Sequence, residues 1–227
     1  MRRTLKITAV LVLTALATTF GMIACSENEA MAQEPQPEVP DGSDSPDEEE
    51  TPGNSKVLVA YFSRANHVPD GTDAVSGATN KVRNTQTVAM EIARLTGGDL
   101  FEIVPERDYP VSHSECSQIA LQEYEADARP VLLTHVEDMS DYDIIYIGFP
   151  IWRYCEPMAI RTFLEEYDFN GKTIRPFCTS MAVGIEDAQA NISRLCPTAH
   201  VGKGLRIPYT IPDGVGETLS EWINDNL

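Results

Sequence analysis

Ile144-Ile145-Tyr146-Ile147-Gly148-Phe149 is an unbroken apolar run of strand length, followed by Pro150-Ile151-Trp152-Arg153-Tyr154-Cys155-Glu156 and, from Pro157, by a helical pattern. A strand that is apolar on both faces must be covered on both faces, which points to a parallel sheet. Behind Pro157, a proline suited to a first helical turn, Ala159, Ile160, Phe163 and Leu164 recur at helical spacing, and the helix should stop by Asn170-Gly171. The same alternation extends in both directions. Apolar runs cover 57–62, 100–104, 174–179 and 201–207. A helix over about 85–96 sets Val88, Ile92 and Leu95 on one face before Gly97-Gly98; a second opens at Ser112, where Ser112 and Glu115 fit a capping box, and turns Ile119 and Tyr124 inward. Two more span about 186–195 and 216–226, the last packing Leu219, Trp222 and Ile223. Five strands alternating with five helices predict an α/β doubly wound sandwich, a parallel sheet with helices on both faces. Its ligand site lies beyond the carboxyl ends of the strands, in the loops after Phe62, Phe149 and Thr179.

Each of those loops offers binding chemistry. The first begins Ser63-Arg64-Ala65-Asn66 and ends Lys81-Val82-Arg83-Asn84-Thr85, supplying hydroxyls, free N–H groups and a helix start to a phosphate. It is neither a Walker A nor a GxGxxG sequence, so ATP and a dinucleotide in the usual mode are disfavoured. The second, Gly148 to Tyr154, sets Trp152 and Tyr154 after a buried strand, where rings suit stacking on a planar heterocycle. The third, Cys178-Thr179-Ser180-Met181-Ala182-Val183-Gly184, brings small polar groups and close backbone. Capping, core closure and plain connection would produce similar loops one at a time.

The chain has 227 residues and a net charge of −18. Residues 1–54 hold three basic and ten acidic side chains, which leaves fourteen basic against twenty-five acidic, a net −11, for the rest. An acidic domain disfavours nucleic acid and favours a basic protein partner. Arg2, Arg3 and Lys6 precede a mostly apolar run over 7–24, and Met22-Ile23-Ala24-Cys25 resembles a bacterial lipobox. The expected organisation is a lipoprotein signal peptide over 1–24, a disordered acidic, proline-rich tether over 25–54 with lipid on Cys25, and a folded domain over 55–227. That places the protein in the bacterial cell envelope, anchored to the membrane. A rival cut at Ala30-Met31-Ala32 would instead release a soluble periplasmic or secreted form, and an uncleaved anchor is the third reading.

Export would permit disulfides among Cys116, Cys155, Cys178 and Cys196, in a pairing that sequence leaves open. No CxxC pair occurs, and His67, His113, His135 and His200 lack metal-ligand spacing. Glu165-Glu166 and Glu186-Asp187 read as solvated helix faces, so no catalytic pair is assigned.

Val59-Ala60-Tyr61-Phe62-Ser63-Arg64, Asn84-Thr85, Asp99-Leu100-Phe101-Glu102-Ile103, Tyr142-Asp143, Gly148-Phe149-Pro150-Ile151-Trp152, Arg161-Thr162-Phe163-Leu164, Gly171-Lys172-Thr173 and Pro176-Phe177-Cys178-Thr179-Ser180 together resemble the flavodoxin-like family, in particular a bacterial branch with exported members. The resemblance implies strand order 2-1-3-4-5, FMN as cofactor and electron transfer as the task. It implies phosphate contacts from Ser63, Arg64, Asn84 and Thr85, ring contacts from Pro150, Ile151, Trp152 and Tyr154, with Trp152 beside the isoalloxazine, and pyrimidine-side contacts from Thr179, Ser180 and Gly184. Residues 65–83 interrupt the phosphate motif, and Arg83 stands where relatives carry glycine. Relatives also often carry glycine at the positions of Tyr154, Met181 and Ala182. Glycine eases a peptide turn beside the flavin, and none occurs between Pro150 and Pro157. A two-electron, quinone-type FMN oxidoreductase and a flavin-free ligand- or protein-binding module on the same fold are therefore the alternatives.

Overall fold

The apolar runs form a parallel sheet in the computed structural model, which describes residues 55–64, 84–110 and 112–225. Strand β1 (Val57–Tyr61) pairs with β2 (Asp99–Glu102) on one side and β3 (Ile144–Pro150) on the other, and β3 pairs with β4 (Thr173–Ser180). Beyond β4 lie β5 (His200–Val201) and β6 (Leu205–Pro208), so the order is 2-1-3-4 with the fifth position filled by two short strands. This is the flavodoxin-like arrangement expected.

Side-chain alternation sorts the core into two layers. Val59, Tyr61, Tyr146, Phe177 and Ile207 pack under α1 (Asn84–Thr96) and α5 (Val215–Asn224), which contribute Val88, Ala89, Ile92, Leu219, Trp222 and Ile223. Leu58, Ala60, Phe62, Ile145, Ile147, Phe149, Ile174 and Cys178 face the other way. They meet Ile103, Cys116 of α2 (His113–Glu125), Ile160, Phe163 and Leu164 of α3 (Met158–Glu166), and Ala188 and Ile192 of α4 (Glu186–Leu195). At Gly148 a Cβ would run into the ring of its cross-strand neighbour Phe177, so this strand needs glycine for Phe177 to lie across it.

Two expectations change. The run at 201–207 is not one strand, because Gly202-Lys203-Gly204 stand opposite the two residues Arg175-Pro176, a bulge of one residue. Pro176 has no N–H to give a partner strand, and the fifth position buckles alongside it. The bulge is held from both layers: Gly204 donates to Gln189 Oε1 of α4 at 2.8 Å, and Trp222 Nε1 of α5 donates to the Lys203 carbonyl at 2.8 Å. Tyr124 does not point inward. It is exposed, and α2 buries Cys116 and Ala120 instead, although Ser112 does cap the helix by accepting from Glu115 N.

The four described cysteines are free thiols, each buried. Among the described residues no helix is long and apolar enough to cross a membrane and no group of side chains could hold a metal ion. The signal peptide over 1–24, Cys25 and the tether over 25–54 lie outside the described residues.

Burial pushes the thiols of Cys155 and Cys196 up to about 11 and that of Cys178 up to about 12. An unfolded chain ionises its thiols near their ordinary value of about 8.5, so above that pH the unfolded state loses protons that the folded state keeps. The stability carried by these neutral thiols should thus be complete below about pH 8.5 and fall as pH rises toward their folded values. A thermal midpoint that stays level from pH 9 to 11 would contradict this. Peptide mass spectrometry after alkylation at pH 8 should find these cysteines unmodified in folded protein and modified in denaturant.

Candidate functional site

The carboxyl ends of β1, β3 and β4 meet the start of α1. Ser63 follows β1, and Asn84 and Thr85 open α1; all three are buried. Thr85 Oγ1 and Thr179 Oγ1 share a hydrogen bond of 2.8 Å, which fastens the helix start to the end of β4. Asn84 Nδ2 donates to the carbonyl of Tyr209 at 2.6 Å, and Tyr209 N donates to the carbonyl of Ser180 at 2.9 Å. The sequence-predicted residues Asn84, Thr85, Thr179 and Ser180 are thereby linked in one polar cluster. Asn84 Oδ1 is buried without a hydrogen-bond partner. A buried acceptor left unsatisfied costs about 1–3 kcal/mol, so a ligand donor at this point would be favoured.

The third loop is fastened by a residue that the sequence reading missed. Arg206 of β6 donates from Nε to Ser180 Oγ at 3.0 Å and from Nη2 to the Met181 carbonyl at 2.8 Å. Its signal was available: an arginine alternating with apolar residues in Leu205-Arg206-Ile207. Ser180 Oγ in turn donates to the Val183 carbonyl. Gly184 follows, at a point where a Cβ would meet the Glu186 carboxylate.

In the second loop, Ile151 N donates to the Thr179 carbonyl at 3.1 Å, tying the loop after β3 to β4 just beyond Pro150. Trp152 is half-buried. Its ring meets Phe62 edge to face at 5.3 Å and Tyr109 at 4.9 Å. Tyr109, also missed by sequence reasoning, is buried and donates to Glu123 Oε2 at 2.8 Å. Burial and the neighbouring Glu123 carboxylate push the Tyr109 phenol far up, so it stays a donor. Arg64 Nη2 donates to the Pro110 carbonyl at 3.0 Å, bracing the same stretch. Lys81 and Arg83 lie outside the described residues.

Trp152 and Cys155 exchange two backbone hydrogen bonds of 2.9 Å across Arg153 and Tyr154, whose φ angles are 50° and 74°. Two successive positive φ values make the tight turn that normally recruits Asn-Gly, and here both residues carry long side chains. Tyr154 is 69% exposed and Met181, in the loop after β4, 75%.

A family profile for flavodoxin matches residues 56–226. The chain belongs to the flavodoxin family. A Bacteroides uniformis protein provisionally described as a flavoprotein is 30% identical, with 75% of this chain and 98% of that one covered and a TM-score of 0.58. A Bacteroides eggerthii protein described in the same way is 26% identical over 76% and 98% of the two chains, also at 0.58. A Lactobacillus acidophilus flavoprotein solved in complex with FMN shares the fold at 22% identity, 67% and 93% coverage and a TM-score of 0.52. No curated protein matches the chain.

The Arg153-Tyr154 turn bears on stability. Left-handed backbone costs a non-glycine residue about 1–2 kcal/mol, partly offset by the extra freedom glycine has when unfolded. Replacing the pair by Asn-Gly (R153N with Y154G) should therefore stabilise this family member by about 1 kcal/mol, raising its thermal midpoint by roughly 2–4 °C. A drop in the midpoint would show that the side chains, not the backbone, decide the turn.

Proposed function

We propose that the crevice between the loops after β1, β3 and β4 binds FMN and that the protein transfers electrons in the bacterial cell envelope. The observation that carries the reading is the buried polar cluster of Ser63, Asn84, Thr85, Thr179 and Ser180 at the carboxyl ends of the strands, with Asn84 Oδ1 lacking a partner. A ribityl hydroxyl is a donor of the right kind for that oxygen, and hydroxyls with the first-turn N–H groups of α1 suit a phosphate. FMN supplies the redox chemistry when bound. The chain's residues bind and orient it: Thr85 and Thr179 hold the helix start against β4, Arg206 holds the loop of Ser180 and Met181, and Tyr154 and Met181 flank the mouth. An acidic domain opposes further negative charge in the crevice, which favours a low potential and docking to a basic redox partner.

One observation favours a second reading. The positive-φ pair Arg153-Tyr154 makes movement of that peptide harder than a glycine would, which suits a two-electron, quinone-type oxidoreductase. That activity predicts turnover of a reduced nicotinamide with a quinone acceptor, and its absence with all common quinones would remove the reading.

Added FMN should give the purified protein flavin absorbance that stays with it through gel filtration. Asn84→Ala should weaken binding by about 1–2 kcal/mol, roughly 10-fold, as measured by fluorescence titration. Protein that stays colourless with saturating FMN would refute the proposal and favour a flavin-free module.

The envelope part of the proposal rests on the run over 7–24 and on Cys25. Cys25→Ala should abolish labelling by a fatty-acid analogue in bacterial cells and move the protein from the membrane fraction to the soluble one. Unchanged fractionation would exclude the lipid anchor.

A further inference from the structure

Glu156 is the one buried carboxylate among the described residues, and its side chain is wholly out of solvent. Its two oxygens are claimed separately. Oε1 accepts from Arg161 Nε of α3 at 2.7 Å, and Oε2 accepts from Asn191 Nδ2 of α4 at 3.1 Å. Arg161 Nη1 continues to Asp127 Oδ1 at 2.9 Å, in the stretch after α2. Burial opposes the charge of Arg161, yet the Glu156 carboxylate beside it keeps its pKa above the ordinary value. Two helices thus converge on one loop carboxylate, and Arg161 carries the network on to the stretch after α2.

A buried ion pair is a poor device for stability alone, since apolar side chains of similar volume usually do as well or better. What it adds is direction, because each oxygen accepts its donor in one geometry. Glu156 stands at the point where direction matters. It follows the Trp152–Cys155 turn and precedes Pro157, the capping residue of α3. Asn191 sits in the helix that begins at Glu186, directly after the loop containing Met181 and Gly184.

We propose that Glu156 is a positioning residue that sets the spacing between the loop after β3 and the loop leading into α4, the two walls of the crevice mouth. The ligand side of this inference rests on the FMN reading; the spacing itself does not. Loss of the carboxylate frees the Trp152–Cys155 turn relative to α4, so the ring side of the crevice loosens while the Asn84 and Thr85 side keeps its geometry.

Two variants of the full chain test it: Glu156→Gln, which removes the charge, and the double variant Glu156→Leu with Arg161→Met, which replaces the pair by apolar groups. Amide hydrogen exchange is followed without ligand in peptides over 150–157 and 181–186, with those over 57–61 and 173–178 as the core reference. The double variant should keep the wild-type thermal midpoint and core protection while both loops exchange at least ~10-fold faster. Glu156→Gln should show the same loop acceleration where it folds. Wild-type loop protection in the double variant, or equal acceleration in loops and core, would overturn the proposal. In titrations the double variant should bind FMN and riboflavin weaker by the same factor, about 10-fold, because only ring contacts are disturbed. A selective loss for FMN would place the effect at the phosphate and also overturn it. If the wild-type chain binds neither, the FMN reading fails, and the exchange data still decide the role of Glu156.

Discussion

The ladder of β1, β3 and β4, buried on both faces, is the constraint on which the rest depends. Its interior side chains are apolar, apart from Arg175, which donates to the Tyr146 hydroxyl, because helices cover them above and below, and its backbone groups are spent on the parallel pairing. A chain built this way gathers its polar side chains where the strands end. There Thr179 and Ser180 are buried yet polar, and they can be so because α1 and β6 bring them partners. The site is a consequence of the sheet's edge chemistry and not an addition to it.

How much of this could be read from sequence follows from the same physics. Alternating apolar runs placed α4 at its observed bounds, and the Ser112 capping box put the start of α2 where it lies, because both signals are local. The split of the fifth position depends on Pro176 in the preceding strand, β4, and on partners in α4 and α5, so no local pattern announces it. Tyr124 misled for a related reason. An aromatic at an inward-looking spacing reads as core, but the small residues Cys116 and Ala120 are the ones buried where α2 packs.

Within the site, loop membership was legible and the contacts between the loops were not. Asn84, Thr85, Thr179 and Ser180 are joined by hydrogen bonds that connect residues 94 and 125 positions apart in the chain. Trp152 is half-buried, and its ring meets Phe62 and Tyr109 edge to face, contacts with distant segments that no local pattern announces. The exposed ring of that loop is Tyr154. Tyr109 and Arg206 came from segments that carry no ligand pattern, and they matter because they hold the loops that do.

The Arg153-Tyr154 turn beside the crevice is where these threads meet. At Tyr154 the backbone has the left-handed φ that glycine would adopt freely, yet the residue there carries a long aromatic side chain. Strain of this kind persists only where the surroundings over-determine the conformation. Here the two hydrogen bonds between Trp152 and Cys155 close the turn, the Phe62 and Tyr109 rings pin its first residue, and the Glu156 carboxylate pins the chain just after its last. With both ends held, the turn spans Arg153 and Tyr154 in left-handed backbone. The turn is thus braced on both sides, and the buried Glu156–Arg161 pair is intelligible as one of those braces.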